Sequence, residues 1–188
     1  MPDPAETVKE TRGCIALGVA SSIAAYKAAD LTSKLVQDGV DVHVLMTENA
    51  TKLVTPQTFL TLSRNPVTSN LWNVPDWRPE HIALAERVEV LVVAPATANV
   101  LAKLACGIAD DALTTFAVAH EGPFLVAPAM NPRMWRNPGV QQNCQRLRER
   151  GVTLLEPEAG RVACSGDGQP GRLADVTRMR EAVLTALR

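Results

Sequence analysis

The chain has 188 residues, with 19 Lys and Arg against 20 Asp and Glu, and a formal net charge of −1. That balance, with no basic block, excludes the clustered phosphate contacts of a nucleic-acid binder. No apolar run reaches the roughly 18–20 residues that a membrane span needs. Hydrophobic residues make up 46% and aromatics only 4%, so the core must be built from Val, Leu, Ala and Ile. The length suits a single domain over residues 1–188. Residues 1–12 are polar and mixed in charge and read as a flexible N-terminal extension, not a signal or transit peptide. A cytoplasmic location is the default that follows. Four cysteines, at 14, 106, 144 and 164, form no C-x-x-C pair, so free thiols are expected and no metal site.

In chain order the pattern alternates strand and helix. Residues 13–20 are apolar and small, a first strand. Residues 23–38 carry Ala24, Ala28, Leu31, Leu35 and Val36 near one helical face, and Gly39 ends that helix. Residues 40–46 alternate as a second strand. Residues 50–62 read as a helix that Pro56 limits or kinks. Residues 65–79 hold three prolines and two tryptophans and predict an irregular loop with one short strand. Residues 88–94 are almost continuously apolar, as in a strand covered on both faces. Helices over 98–105 and 110–119 are parted near Gly107. A strand over 123–127, a helix over 138–150 closed by Gly151, a strand over 152–155 and a final helix over 174–187 complete the pattern. Between the last two lies a Gly-rich stretch, 158–171, long enough to suggest function.

Strand then helix, repeated about five times, predicts an α/β fold: an open parallel sheet with helices on both faces. Ligands in such sheets bind beyond the carboxyl ends of the strands. The loops there, Ala20-Ser22, Thr47-Asn49, Pro95-Asn99 and Pro128-Asn131, carry the unusual polar residues. Ser21 and Ser22 stand at a helix N-terminus and suit a phosphate, unless they only cap the helix. The G-x-G-x-x-G and G-x-x-x-x-G-K-[ST] fingerprints are absent, which favours a mononucleotide over NAD or ATP. Thr97 and Asn99 can hydrogen-bond the edge of a flat ring that the small neighbours admit, although Thr97 also suits a helix cap. Asn131, bracketed by prolines after a buried strand, is placed to hold a polar ligand. His81 stands at a loop-to-helix junction and is suited to acid–base work, whereas His43 and His120 read as structural. Cys14, Cys106 and Cys144 read as packing residues. Cys164, in a polar loop, is the best candidate for a chemical thiol.

Four stretches carry a family resemblance. They are Ser22-Ile23-Ala24-Ala25-Tyr26-Lys27; His81-Ile82-Ala83-Leu84; Pro95-Ala96-Thr97-Ala98-Asn99 with Gly107-Ile108-Ala109-Asp110-Asp111; and Pro128-Ala129-Met130-Asn131-Pro132-Arg133-Met134-Trp135. With them the chain resembles the flavin-dependent cysteine decarboxylases, the HFCD flavoproteins, over about residues 13–175. The resemblance implies a flavodoxin-like, Rossmann-like fold that binds FMN, assembled as a homotrimer or as a larger group of trimers. It implies that Ser21 and Ser22 hold the FMN phosphate and that Thr47, Thr97, Ala98 and Asn99 line the flavin. His81 would be the acid–base residue. Asn131 would bind the substrate carboxylate beside Ala129 and Met130, and Cys164 would help reduce the intermediate.

Cys164 also bears on the branch of the family. Members that stop at an enethiol lack this cysteine, so its presence favours the branch that decarboxylates 4′-phosphopantothenoylcysteine in coenzyme A biosynthesis. A separate phosphopantothenoylcysteine synthetase is then an expected partner. The alternatives are decarboxylation of another cysteine-terminated peptide or metabolite, or a non-catalytic flavin-binding regulatory subunit. Two features depart from the family pattern. The phosphate loop reads Ser21-Ser22 where a Gly is frequent, and the stretch from Cys164 to Arg172 is one residue longer than usual, which bears on Arg172 as a substrate-binding residue.

Overall fold

The computed structural model describes residues 11–71, 84–160 and 168–188. Its centre is a six-stranded parallel sheet made of β1 (Cys14–Val19), β2 (Asp41–Met46), β3 (Val67–Thr68), β4 (Val90–Ala96), β5 (Phe124–Pro128) and β6 (Thr153–Leu154). The spatial order is β3-β2-β1-β4-β5-β6. This is the doubly wound arrangement in which successive strands first run to one edge, then return and run to the other. The direction reverses between β1 and β4, which pair from Ile15–Val90 to Gly18–Val93.

The helices are α1 (Ala25–Gln37), α2 (Pro56–Ser63), α3 (Ala98–Cys106), α4 (Ala112–Ala119), α5 (Pro132–Trp135), α6 (Pro138–Glu149) and α7 (Val176–Ala186). They divide between the two faces by the alternation of the strands. Ile15, Leu17, Val19, Val90 and Val92 point to one side and meet Ala28, Leu31 and Leu35 of α1, Phe59 of α2 and Met179 and Val183 of α7. Ala16, Leu91, Val93 and Val126 point to the other and meet Leu101 of α3, Phe116 of α4 and Leu147 of α6. Every residue of β4 is buried, which is why its sequence is continuously apolar instead of alternating. Fully burying a Leu or Phe side chain is worth roughly 1.5–3 kcal/mol, so these two layers dominate the stability.

Several elements differ from their expected form. The helix expected over 50–62 is two pieces: a 3₁₀ turn, Ala50–Lys52, and α2, which starts at Pro56. Proline occupies the first helical position, where its missing N–H costs nothing, so it begins a helix instead of kinking one. The octapeptide Pro128–Trp135, to which the sequence pattern assigns no element, ends in a short helix, α5. The Gly-rich stretch is not plain loop at its ends. There β7 (Glu158–Ala159) and β8 (Pro170–Arg172) pair antiparallel as a ribbon. Cys106 is exposed at the end of α3 and is not a packing residue, whereas Cys144 is buried. Residues 72–83, with most of the expected irregular loop, lie outside the described residues.

Candidate functional site

A cavity of about 530 Å³ opens beyond the carboxyl ends of β1 and β4, at the point where the strand order reverses. Its size lies in the range of small-molecule and cofactor sites. Four separate chain segments wall it: the β1–α1 loop, the β4–α3 junction, the octapeptide after β5, and β8.

On the β1–α1 side the wall is formed by Ser21, Ser22, Ile23, Ala24, Tyr26 and Lys27. Ser22 Oγ accepts a hydrogen bond from the Ala24 N–H at 3.3 Å. The N-cap of α1 is Ala24, and no side chain caps this helix. The serines therefore bend the loop and leave the positive end of the helix open to the cavity. Two hydroxyls at an uncapped helix N-terminus are a donor set that fits a phosphoryl group.

Thr97 and Ala98 contribute the next wall. Thr97 is the N-cap of α3, and its hydroxyl oxygen accepts from the Val100 N–H at 3.3 Å, which leaves its own O–H to donate. The cap role and the site position therefore coexist. Asn99 is exposed in the first turn of α3 and is not among the residues that wall the cavity. Thr47 is buried at the end of β2, where its hydroxyl accepts from the Ala50 N–H at 3.3 Å; it too stands outside the wall.

The octapeptide supplies Ala129, Met130, Asn131 and Met134. Asn131 is the N-cap of α5, and its Oδ1 accepts from the Arg133 N–H at 2.9 Å. That bond fixes the amide with its NH₂ end as the group still able to donate. Trp135, buried among α3 and α6 residues, anchors the far end of the segment. The ribbon closes the site from the other side. The Met130 N–H donates to Gly171 O at 2.9 Å, and a Cβ on Gly171 would stand 2.5 Å from Met130 O. Only glycine lets β8 lie this close to the octapeptide.

Arg172 also walls the cavity, and its guanidinium donates to Glu158 Oε2 at 2.7 Å. Glu158 Oε1 accepts the Asp175 N–H at 2.8 Å. The Arg172 guanidinium and this second donor hold the Glu158 carboxyl below its ordinary range. His81 and Cys164 lie outside the described residues. Glu158 belongs to none of the quoted motifs, and Lys27 ends one of them with no role assigned to it. The spacing between Glu158 and Arg172 becomes meaningful only when the ribbon pairs them.

A second polar cluster lies at the opposite end of the sheet. Cys14, Asp41 and His43 bring ligand-type atoms within 4.8 Å of one another. Asp41 is already committed there. Its Oδ1 accepts from Asn65 Nδ2 at 2.7 Å, and its Oδ2 accepts from His43 Nε2 at 3.1 Å. Burial, then the nearby Asp41 charge, pushes the Cys14 thiol up to about 12, so it is protonated at neutral pH.

The family model described as Flavoprotein matches residues 4–188. The chain belongs to the Flavoprotein family. A flavin is therefore the cofactor class, and the open α1 terminus, the two hydroxyls and the small-residue walls fit its phosphate and its ring. Among curated relatives, the probable phosphopantothenoylcysteine decarboxylase of Streptococcus mutans is 45% identical over 165 residues, covering 86% of this chain and 92% of that one. The coenzyme A biosynthesis bifunctional protein CoaBC of Borreliella burgdorferi is 40% identical over 170 residues, covering 90% of this chain and 43% of the relative. The chain thus spans less than half the length of that bifunctional protein. Among solved structures, a cysteine-to-serine variant of PPC decarboxylase complexed with pantothenoylaminoethenethiol superposes with a TM-score of 0.79 at 30% identity, covering 91% of this chain and 96% of that one. Among the described residues, no helix is long and apolar enough to cross a membrane.

Proposed function

We propose that this flavoprotein is an FMN-dependent decarboxylase of 4′-phosphopantothenoylcysteine, a carboxy-lyase that yields 4′-phosphopantetheine for coenzyme A. One observation carries this. The cavity joins a phosphate-suited helix terminus to an asparagine whose amide NH₂ end is left able to donate.

Loss of CO₂ from a carboxylate next to an unactivated carbon leaves a carbanion with no sink. Bound FMN supplies reversible two-electron chemistry, which lets the substrate thiol become a thioaldehyde, accept the electrons of decarboxylation as an enethiol, and regain saturation. Ser21, Ser22 and the α1 N-terminus would hold its phosphate, with Thr97 and Ala98 along the ring. Asn131 would orient the substrate carboxylate through a neutral donor. A cation there would stabilise the ground-state charge that must disappear, whereas catalysis gains only from what favours the transition state. His81 would take the thiol proton. Cys164 would return a proton to the enethiol carbon. Ala129 and Met130 would pack on the substrate, with Arg172 at its far end. A homotrimer or larger assembly, and a synthetase that supplies the substrate, complete the proposal.

The test is FMN-loaded protein mixed with phosphopantothenoylcysteine and, in parallel, with a peptide ending in cysteine. CO₂ and phosphopantetheine from the first alone are expected. Release only from the peptide would replace the substrate assignment, and release from neither would end the decarboxylase reading. Cys164→Ser should still release CO₂ but accumulate the enethiol. Normal reduced product from that variant would remove the cysteine from the reduction step.

A further inference from the structure

We propose that Glu158 is a positioning residue that fixes Arg172, which with Lys27 on the same cavity forms a clamp for a second phosphoryl group, the one carried by the substrate. This rests on the decarboxylase reading and adds to it a basis for substrate choice.

The substrate class brings two anionic ends, a carboxylate and a phosphate, and the flavin brings a third anion. The described walls answer these needs in three separate places. The α1 terminus with Ser21 and Ser22 is uncharged. Asn131 is uncharged. Formal positive charge on the cavity wall, among the described residues, comes from Lys27 and Arg172. Both side chains line the same cavity, Lys27 from the first turn of α1 and Arg172 from the end of β8. A dianionic phosphate is the ligand that two cations on one cavity wall suit, and the planar arginine fork can grip it through two donors.

Arg172 is not left free to swing. Glu158 Oε2 takes its Nη2 at 2.7 Å, and the other carboxylate oxygen is tied to the Asp175 N–H, the N-cap of α7. The backbone beneath the guanidinium is Gly160, at φ +153°, and a Cβ there would meet Arg172 Nε, Cδ and Cζ at 3.3 to 3.5 Å. The positive φ is what calls for glycine at 160, and a Cβ there would press only lightly on the guanidinium, unlike the backbone clash that excludes one at 171. Carboxylate, backbone and ribbon register all act on one side chain. The pair is partly exposed, at 43% and 26% of the two side chains, so its charge attraction alone would hold Arg172 loosely and the other constraints matter. Preorganisation of this kind lowers the ordering cost of binding and so appears in affinity, not in the chemical step.

The experiment measures kcat and KM for phosphopantothenoylcysteine and for its dephosphorylated counterpart in the FMN-loaded wild type, Glu158→Gln, Glu158→Asp and Arg172→Lys. Flavin content serves as the fold control. Wild type is expected to prefer the phosphorylated substrate. Glu158→Gln should raise its KM about tenfold, the scale of one hydrogen bond to a charged group. It should leave kcat and the dephosphorylated substrate unchanged. Glu158→Asp should recover part of the loss, and Arg172→Lys, which keeps charge but not the fork, should resemble Glu158→Gln. Equal losses on both substrates, or no loss, would overturn the clamp. So would a wild type that turns over both substrates equally. Wild type inactive on both substrates would instead defeat the decarboxylase reading. In that case phosphopantothenate and pantothenate titrated against the flavin absorbance decide the clamp: equal perturbation by the two, or none by either, overturns it.

Discussion

Asn131 divides its amide between the chain and the cavity. Oδ1 caps α5, and the NH₂ end remains for a ligand. Aspartate caps helices as well as asparagine does, so Asn131→Asp should fold and retain flavin. What it changes is the free end, where a donor becomes an anion facing the substrate carboxylate. Its kcat/KM should fall by about a hundredfold or more, the scale of a buried charge meeting its like. Steady-state rates beside a flavin absorbance spectrum check both halves, and full activity would take Asn131 out of the site. The position of this residue was legible in the sequence, because prolines on both sides of a polar residue after a buried strand exclude sheet and interior helix alike. Which amide end is free was not legible, since it depends on a turn only four residues long. Asn99 shows the reverse. Its motif is intact, yet the first turn of α3 rotates it to the surface.

The elements are joined by a few specific contacts. Asp38, the C-cap of α1, accepts from Nε and Nη2 of Arg180 in α7, which locks two helices on the same sheet face. The Arg180 guanidinium holds the Asp38 carboxyl below its ordinary range. A lowered carboxyl stabilises the fold fully above its unfolded value, about 4, and loses that contribution as pH falls through the folded value. Asp38→Asn should therefore melt lower than wild type at pH 7, by about 1 kcal/mol for a bidentate, partly exposed pair. The gap should narrow below about pH 4. Thermal melts across that range test it, and a gap that persists unchanged into acid would mean that the charge is not the cause. The long elements were legible because their apolar periods are strong: β4 is apolar throughout, and α1 repeats Ala28, Leu31 and Leu35. The ribbon was not. Strands of two and three residues carry no period, and their pairing is decided by Gly171 against Met130, forty-one positions away in the chain. Cys106 was misplaced although the break near Gly107 was expected: being in a helix says nothing of burial in its last turn, which here opens to water.

At the scale of the whole molecule, the strand order fixes where the cavity falls. The reversal between β1 and β4 splays the loops at their carboxyl ends, and every described wall residue lies at or beside that opening. The alternation of strand and helix was enough to expect such a crevice. It was not enough to say that the last sixth of the chain, through β8, helps to close it. The four walls run from Ser21 to Leu173, so they meet only when both halves of the sheet have docked. Flavin capture is then a reporter of completed assembly. On heating, loss of bound flavin fluorescence quenching should coincide with loss of far-ultraviolet helix signal, and excess FMN should shift both upward together. Release of flavin well before the helices melt would mean that one wall opens alone. The ribbon has a further consequence of this kind: because Gly171 is stitched to Met130, the segment proposed to receive the substrate and the segment that covers it are one mechanical unit, so a newly made chain arrested before β8 would carry the proposed catalytic motifs without a place for them to act.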